Sequence, residues 1–130
     1  MVKTVGFLAH LGYKIMWIRV ATNKEDVHKE QNLGYTYVEG NNVKEYYFDD
    51  YIAELLEQDG FLTEMWNNLD ALFDWGDCDY FLPQKCILFR EWLENRLKKF
   101  ATPELKNTYE NMLDLANLAI QCDTGISFDF

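Results

Sequence analysis

The residues Ile126-Ser127-Phe128-Asp129-Phe130 alternate apolar and polar side chains, and that short pattern constrains the fold more than any other part of the chain. A period of two places Ile126, Phe128 and Phe130 on one face, as in a strand with one buried side. A lone strand leaves its backbone donors and acceptors unpaired, so this one needs a neighbour. The patterns directly before it are helical, whereas strand-like runs lie near the start of the chain. The two ends must therefore meet in one sheet.

The early strands are read from β-branched and aromatic content. Residues 13–21 run Tyr-Lys-Ile-Met-Trp-Ile-Arg-Val-Ala, with Ile15, Trp17, Arg19 and Ala21 alternating against Met16, Ile18 and Val20. A second run, residues 33–38, is stopped by Gly40-Asn41-Asn42. The polar residues 22–32 between them read as a loop with room for one helical turn. The simple expectation is an antiparallel, hairpin-like pair with a long connection. Residues 4–11 fit either a short strand or a helical turn.

From Asp49 the period changes. Asp49 or Asp50 suits an N-cap, Tyr51, Ile52, Leu55 and Leu56 mark one face, and Asp59-Gly60 supplies a stop. Phe61, Leu62, Met65, Trp66, Leu69, Leu72 and Phe73 recur at helical spacing, which predicts a second helix to about Phe73, with Glu64 and Asp70 on its other side. Pro83 suits the first position of a third helix. Its apolar stripe is Cys86, Phe89, Trp92, Leu93, Leu97 and Phe100, and its wet face is Arg90, Glu91, Glu94, Asn95, Lys98 and Lys99. Thr102-Pro103-Glu104 starts a fourth helix carrying Leu105, Tyr109, Met112, Leu113, Ala116, Ala119 and Ile120, which Asp123-Thr124-Gly125 breaks. The expected fold is α+β: one domain over residues 1–130, with a four-helix bundle packed against a small antiparallel or mixed sheet formed by the N-terminal strands and the C-terminal strand.

Composition narrows the setting. The three cysteines, Cys78, Cys86 and Cys122, are odd in number and form no C-x-x-C pair, which argues against a disulfide framework or a common zinc motif and for a reducing, cytoplasmic location. No apolar run is long enough to span a membrane, and residues 1–12 lack a small-residue cleavage site, so they read as mature protein.

Charge is uneven along the chain. Residues 39–82 hold twelve Asp/Glu and one Lys, a net −11 that exceeds the formal net charge of −10 of the whole chain, the remainder summing to +1. Such a region disfavours nucleic-acid backbones and anionic lipid, and favours a basic partner. It ends in Asp74-Trp75-Gly76-Asp77-Cys78-Asp79-Tyr80-Phe81-Leu82-Pro83, which reads as an aromatic-anchored corner between the second and third helices.

The search for chemistry is mostly negative. Asp74, Asp77 and Asp79 have the oxygen donors of a hard-cation loop, but no register supplies the glycine and glutamate that an EF-hand requires, so no metal or cofactor is expected. His10 and His28 stand far apart with no nucleophile motif beside them. Cys86 and Cys122 read as small core residues, and carboxylates around Cys78 should raise its thiol pKa. Phosphate loops, nucleophile elbows and zincin motifs are absent from the sequence. What remains is recognition. Carboxylates interleaved with aromatics suit an inhibitor surface, the physical principle by which immunity proteins neutralise basic nuclease toxins. The expected binding residues are Tyr46, Tyr47, Asp49, Asp50, Asp74, Trp75, Asp77, Asp79 and Tyr80. The competing expectation is a small-molecule or enzymatic site at the Asp74/Asp77/Asp79 corner.

Overall fold

The computed structural model describes residues 14–30, 32, 34–99 and 101–130. His10, Phe100 and the segment 4–11 lie outside them. The described residues form an α+β fold of four helices and two sheets. In chain order they are β1 (Ile15–Ala21), a 3-10 turn (Lys24–Asp26), β2 (Val27–Glu30), β3 (Tyr35–Val38), β4 (Val43–Asp49), α1 (Asp50–Gln58), α2 (Phe61–Leu69), β5 (Cys78–Phe81), α3 (Pro83–Leu97), α4 (Pro103–Cys122) and β6 (Ile126–Asp129).

The larger sheet has the order β4-β1-β6-β5, and all its pairings are antiparallel. The C-terminal strand does meet the N-terminal one: Trp17 pairs with Asp129, Ile18 with Phe128 and Arg19 with Ser127. The expected hairpin is corrected, however. β1 pairs with β4 from Ile15↔Asp49 to Ala21↔Val43, while β3 pairs with β2 in a separate two-stranded sheet. The polar residues Val27 to Glu30, read as loop, are the missing partner of β3. β4 and β5 were not expected as strands. Lys44-Glu45-Tyr46-Tyr47 shows no simple alternation, and the four residues of β5 were absorbed into the supposed corner.

Helix boundaries follow their capping residues. The Asp49 side chain accepts from Ile52 N at 3.2 Å and starts α1, and Gly60 stops it at φ 82°, a left-handed conformation that costs glycine little. Pro83 and Pro103 both occupy first-turn positions, and Thr102 caps α4. α2 ends earlier than its apolar periodicity suggests: Asp70 turns left-handed at φ 56°, and Ala71, Leu72 and Phe73 leave the helix. Phe73 then stacks on Phe61 and Phe81 at 5.9 and 5.3 Å between ring centres, which explains its apolar character without a helix.

The helices cover one face of the sheet. Met16, Ile18, Val20, Phe48, Phe81, Ile126 and Phe128 point into a single core with Phe89, Leu93, Tyr109 and Met112. Each such buried side chain contributes about 1.5–3 kcal/mol before the entropy of ordering it is subtracted. Gly125 allows the sheet to close at β5. A Cβ there would stand 2.5 Å from the Phe81 carbonyl oxygen, and its φ of 110° suits only glycine. The opposite face carries Trp17, Arg19, Glu45, Tyr47, Cys78, Ser127 and Asp129, and the β2–β3 hairpin lies over part of it.

Candidate functional site

The acidic residues of the middle third divide into those that hold the fold and those that face water. Asp49 is spent on the α1 cap. Asp59 and Glu64 surround Arg96, which lies on the core stripe of α3 and is only 8% exposed. The Arg96 guanidinium donates to Asp59 Oδ2 at 2.7 Å and to a Glu64 carboxylate oxygen, and stacks over Trp92 at 4.9 Å. Trp92 Nε1 donates to Glu64 Oε1 at 2.9 Å, and the Tyr109 hydroxyl donates to Asp59 Oδ2 at 2.6 Å. Burial pushes the Glu64 carboxyl up, but the hydrogen bonds from Arg96 and Trp92 outweigh it and hold the pKa below the usual carboxylate range. Burial pushes the Tyr109 phenol up, reinforced by its bond to Asp59. This cluster is a closed structural network.

The second group lies on α1. Asp50, Glu54 and Glu57 stand at i, i+4 and i+7, so they share one exposed helix face. With Lys14 and Trp75 they line a groove of about 280 Å³. Trp75 is a fixed anchor there. Its ring packs on Phe130 at 5.2 Å and against Phe48 edge-on at 6.4 Å, while its Nε1 donates to Glu57 Oε1 at 2.7 Å. Asp50 Oδ2 also accepts from Lys14 N at 3.2 Å. Among the described residues, three carboxylates against one lysine leave the groove acidic.

The structure brings Asp50 and Trp75 of the expected residues together, and separates the rest. Tyr46 turns inward, its hydroxyl 3.0 Å from Thr108 Oγ1. Tyr47 is 58% exposed and packs on Trp17 at 5.0 Å on the far side of the sheet. Asp74 and Asp77 are exposed, with Asp77 N bonded to Asp74 O at 3.2 Å in a turn. Asp79 is half-buried and accepts from Tyr80 N at 2.8 Å; burial raises its pKa. The Tyr80 hydroxyl donates to the Thr124 carbonyl, and burial raises the phenol to about 12. The three aspartates of the corner do not converge, and among the described residues no group of three or more His, Cys, Asp or Glu is placed to hold a metal ion.

Cys78 lies on the opposite sheet face, its thiol pKa raised by burial and then by Asp129 and Asp77, the direction its carboxylate neighbours imply. Cys86 is buried and raised to about 12. His28 donates from Nε2 to the Glu39 carbonyl at 2.8 Å and stacks on Tyr37, which makes it a hairpin residue.

Sequence reasoning missed Glu54 and Glu57, although their spacing from Asp50 was a readable signal. It also missed Arg96, which follows Phe89 by seven residues and Trp92 by four on the apolar stripe, the position of a buried charge. A larger trough, about 550 Å³, lies between the hairpin and the sheet and includes Arg19, Tyr37, Glu39, Glu45 and Asp129. Arg19 is held by Glu45 at 2.9 Å and stacks over Trp17 at 4.8 Å. Nothing in the sequence announces this trough, because it depends on the hairpin folding back. Among the described residues no helix is long and apolar enough to cross a membrane. Comparison of the chain with protein-family models, curated proteins and solved structures gave no match.

Proposed function

We propose that this chain is a protein-interaction domain of inhibitor or immunity type that binds a basic protein through the α1 face and Trp75. The observation that carries this reading is the alignment of Asp50, Glu54 and Glu57 beside an indole clamped by the core. A rigid aromatic gives contact area at little entropic cost, and exposed carboxylates steer a cationic partner and reject anionic ones. On this reading the chain is a binder rather than an enzyme, it works in the cytoplasm, and neither nucleic acid nor a membrane is its direct partner. The three free cysteines support a reducing setting.

The test is co-purification with the products of adjacent genes, comparing the natural chain with a Glu54→Gln/Glu57→Gln variant. The reading expects a basic partner whose capture weakens between about 50 and about 500 mM salt and weakens again in the variant. Equal capture by both chains at both salt concentrations would overturn it.

A further inference from the structure

Three hollows on the hairpin side of the molecule adjoin one another. The trough of about 550 Å³ shares Tyr35, Thr36 and Cys78 with a hollow of about 370 Å³, which shares Tyr80 and Leu82 with a third of about 330 Å³. They make one track that follows β5, the edge strand of the larger sheet, from the β3–β4 side to the start of α3. The track is chemically polarised. Its first hollow holds Glu39, Glu45 and Asp129 against Arg19, the one cation among its described lining residues, which Glu45 already engages, under the rings of Tyr35 and Tyr37. Its last hollow is formed by Leu82, Leu88 and Tyr80 with Gln84 and Lys85, and Leu82 and Leu88 are 59% and 48% exposed. Lys29 is balanced by Asp79 at the middle hollow and Lys85 stands at the far one, so among the described residues an excess of carboxylates to receive a cationic group lies at the first. The strand edge itself is guarded, because Asp79 Oδ1 accepts the Tyr80 N–H and blocks a backbone ladder there. An occupant is therefore held by its side chains.

We infer that this track receives an extended segment of the basic partner, with an Arg or Lys side chain seated among Glu39, Glu45 and Asp129 and a bulky apolar side chain on Leu82 and Leu88. The inference rests on the reading of the chain as a binder of a basic protein, and adds a second contact apart from the α1 face. The occupant is fixed by charge at one end and by exposed apolar surface at the other.

The experiment pans the full chain against a displayed library of random peptides of about seven residues, about 24 Å when extended. Selected peptides are expected to carry Arg or Lys toward one end and Leu, Ile, Met or Phe toward the other. Their affinity is expected to fall about tenfold in a Glu39→Gln/Asp129→Asn variant and about tenfold in Leu88→Asp, all exposed positions, and to be unchanged in Glu54→Gln/Glu57→Gln. No enrichment, enrichment without that polarity, or indifference to the track variants overturns the inference. Peptides lost only in the Glu54→Gln/Glu57→Gln variant overturn the track while supporting the α1 face, and an α1 variant without effect on the natural partner defeats that reading separately.

Discussion

Asp59 and Glu64 enclose a buried guanidinium, whereas Asp50, Glu54 and Glu57, within the same short stretch, face water beside Trp75. Residue type does not separate the two groups; the helix face does. Asp59 and Glu64 flank the α1–α2 turn and meet Arg96 of α3, so their charge is consumed inside the molecule. The α1 carboxylates leave most of theirs for another molecule. A regional charge count therefore overstates the surface available to a partner. The two groups should also respond differently to substitution, to acid and to salt.

The largest difference is expected at Arg96. Arg96→Met removes the cation between two carboxylates and a phenol, and losing one partner of such a cluster costs about 3–5 kcal/mol when fully buried. Asp59 and Glu64 retain about a third of their exposure, so the expected loss is about 2–3 kcal/mol in urea unfolding, with partner binding by the folded protein unchanged. If stability were unaltered, the network would be ornamental and the division of the acids would fail. The mirror experiment is Glu54→Gln/Glu57→Gln. It is expected to change stability by less than about 0.5 kcal/mol, since Gln preserves an acceptor for Trp75 Nε1, and to weaken binding of the basic partner about tenfold at low salt.

Acid separates the groups further. The Glu64 pKa is lower in the folded state than in the unfolded chain, so its contribution is full above the unfolded carboxylate pKa and is lost as pH falls through the folded one. Glu64→Gln should flatten that acid arm of a stability–pH profile by less than about 1 kcal/mol, given the exposure of the group. The smallest effect is expected at Asp79, whose folded pKa is raised by burial. Its ionisation opposes folding, fully so above the folded pKa and not at all below the unfolded one. Asp79→Asn keeps the acceptor for Tyr80 N and should raise the melting temperature at neutral pH by about 1–2 °C, a gain that fades on acidification.

How far the fold was legible depends on how local its signals are. Caps at Asp49 and Thr102, the prolines at 83 and 103 and the stop at Gly60 are local, and all four helices start where those residues put them, although α2 ends at Leu69 rather than near Phe73. The meeting of β1 and β6 was legible because a terminal strand has few partners. β4 was missed because its residues alternate poorly, Lys44 and Glu45 being exposed in succession, and β5 because Cys78-Asp79-Tyr80-Phe81 runs on from Asp74 and Asp77 into Pro83 and was read with them as a corner between helices. The pairing of β3 followed that miss: with β4 unseen, β3 was the nearest strand in sequence to fill the second edge of β1. Of the expected site, Asp50 and Trp75 come together because α1 returns toward the 74–77 turn, a tertiary fact. Tyr46 and Tyr47 are neighbours in sequence with opposite fates, since successive strand residues face opposite sides of the sheet.

The division of the acidic residues is tested most directly by amide chemical-shift mapping during titration with an Arg- and Lys-rich peptide of about twenty residues. The shifts are predicted to gather on residues 50–57 and Trp75, with a second group at Glu39 and Asp129, while Asp59, Glu64 and the Arg96 cluster stay fixed. Shifts spread evenly over all the carboxylates, or concentrated at Asp59 and Glu64, would contradict the account.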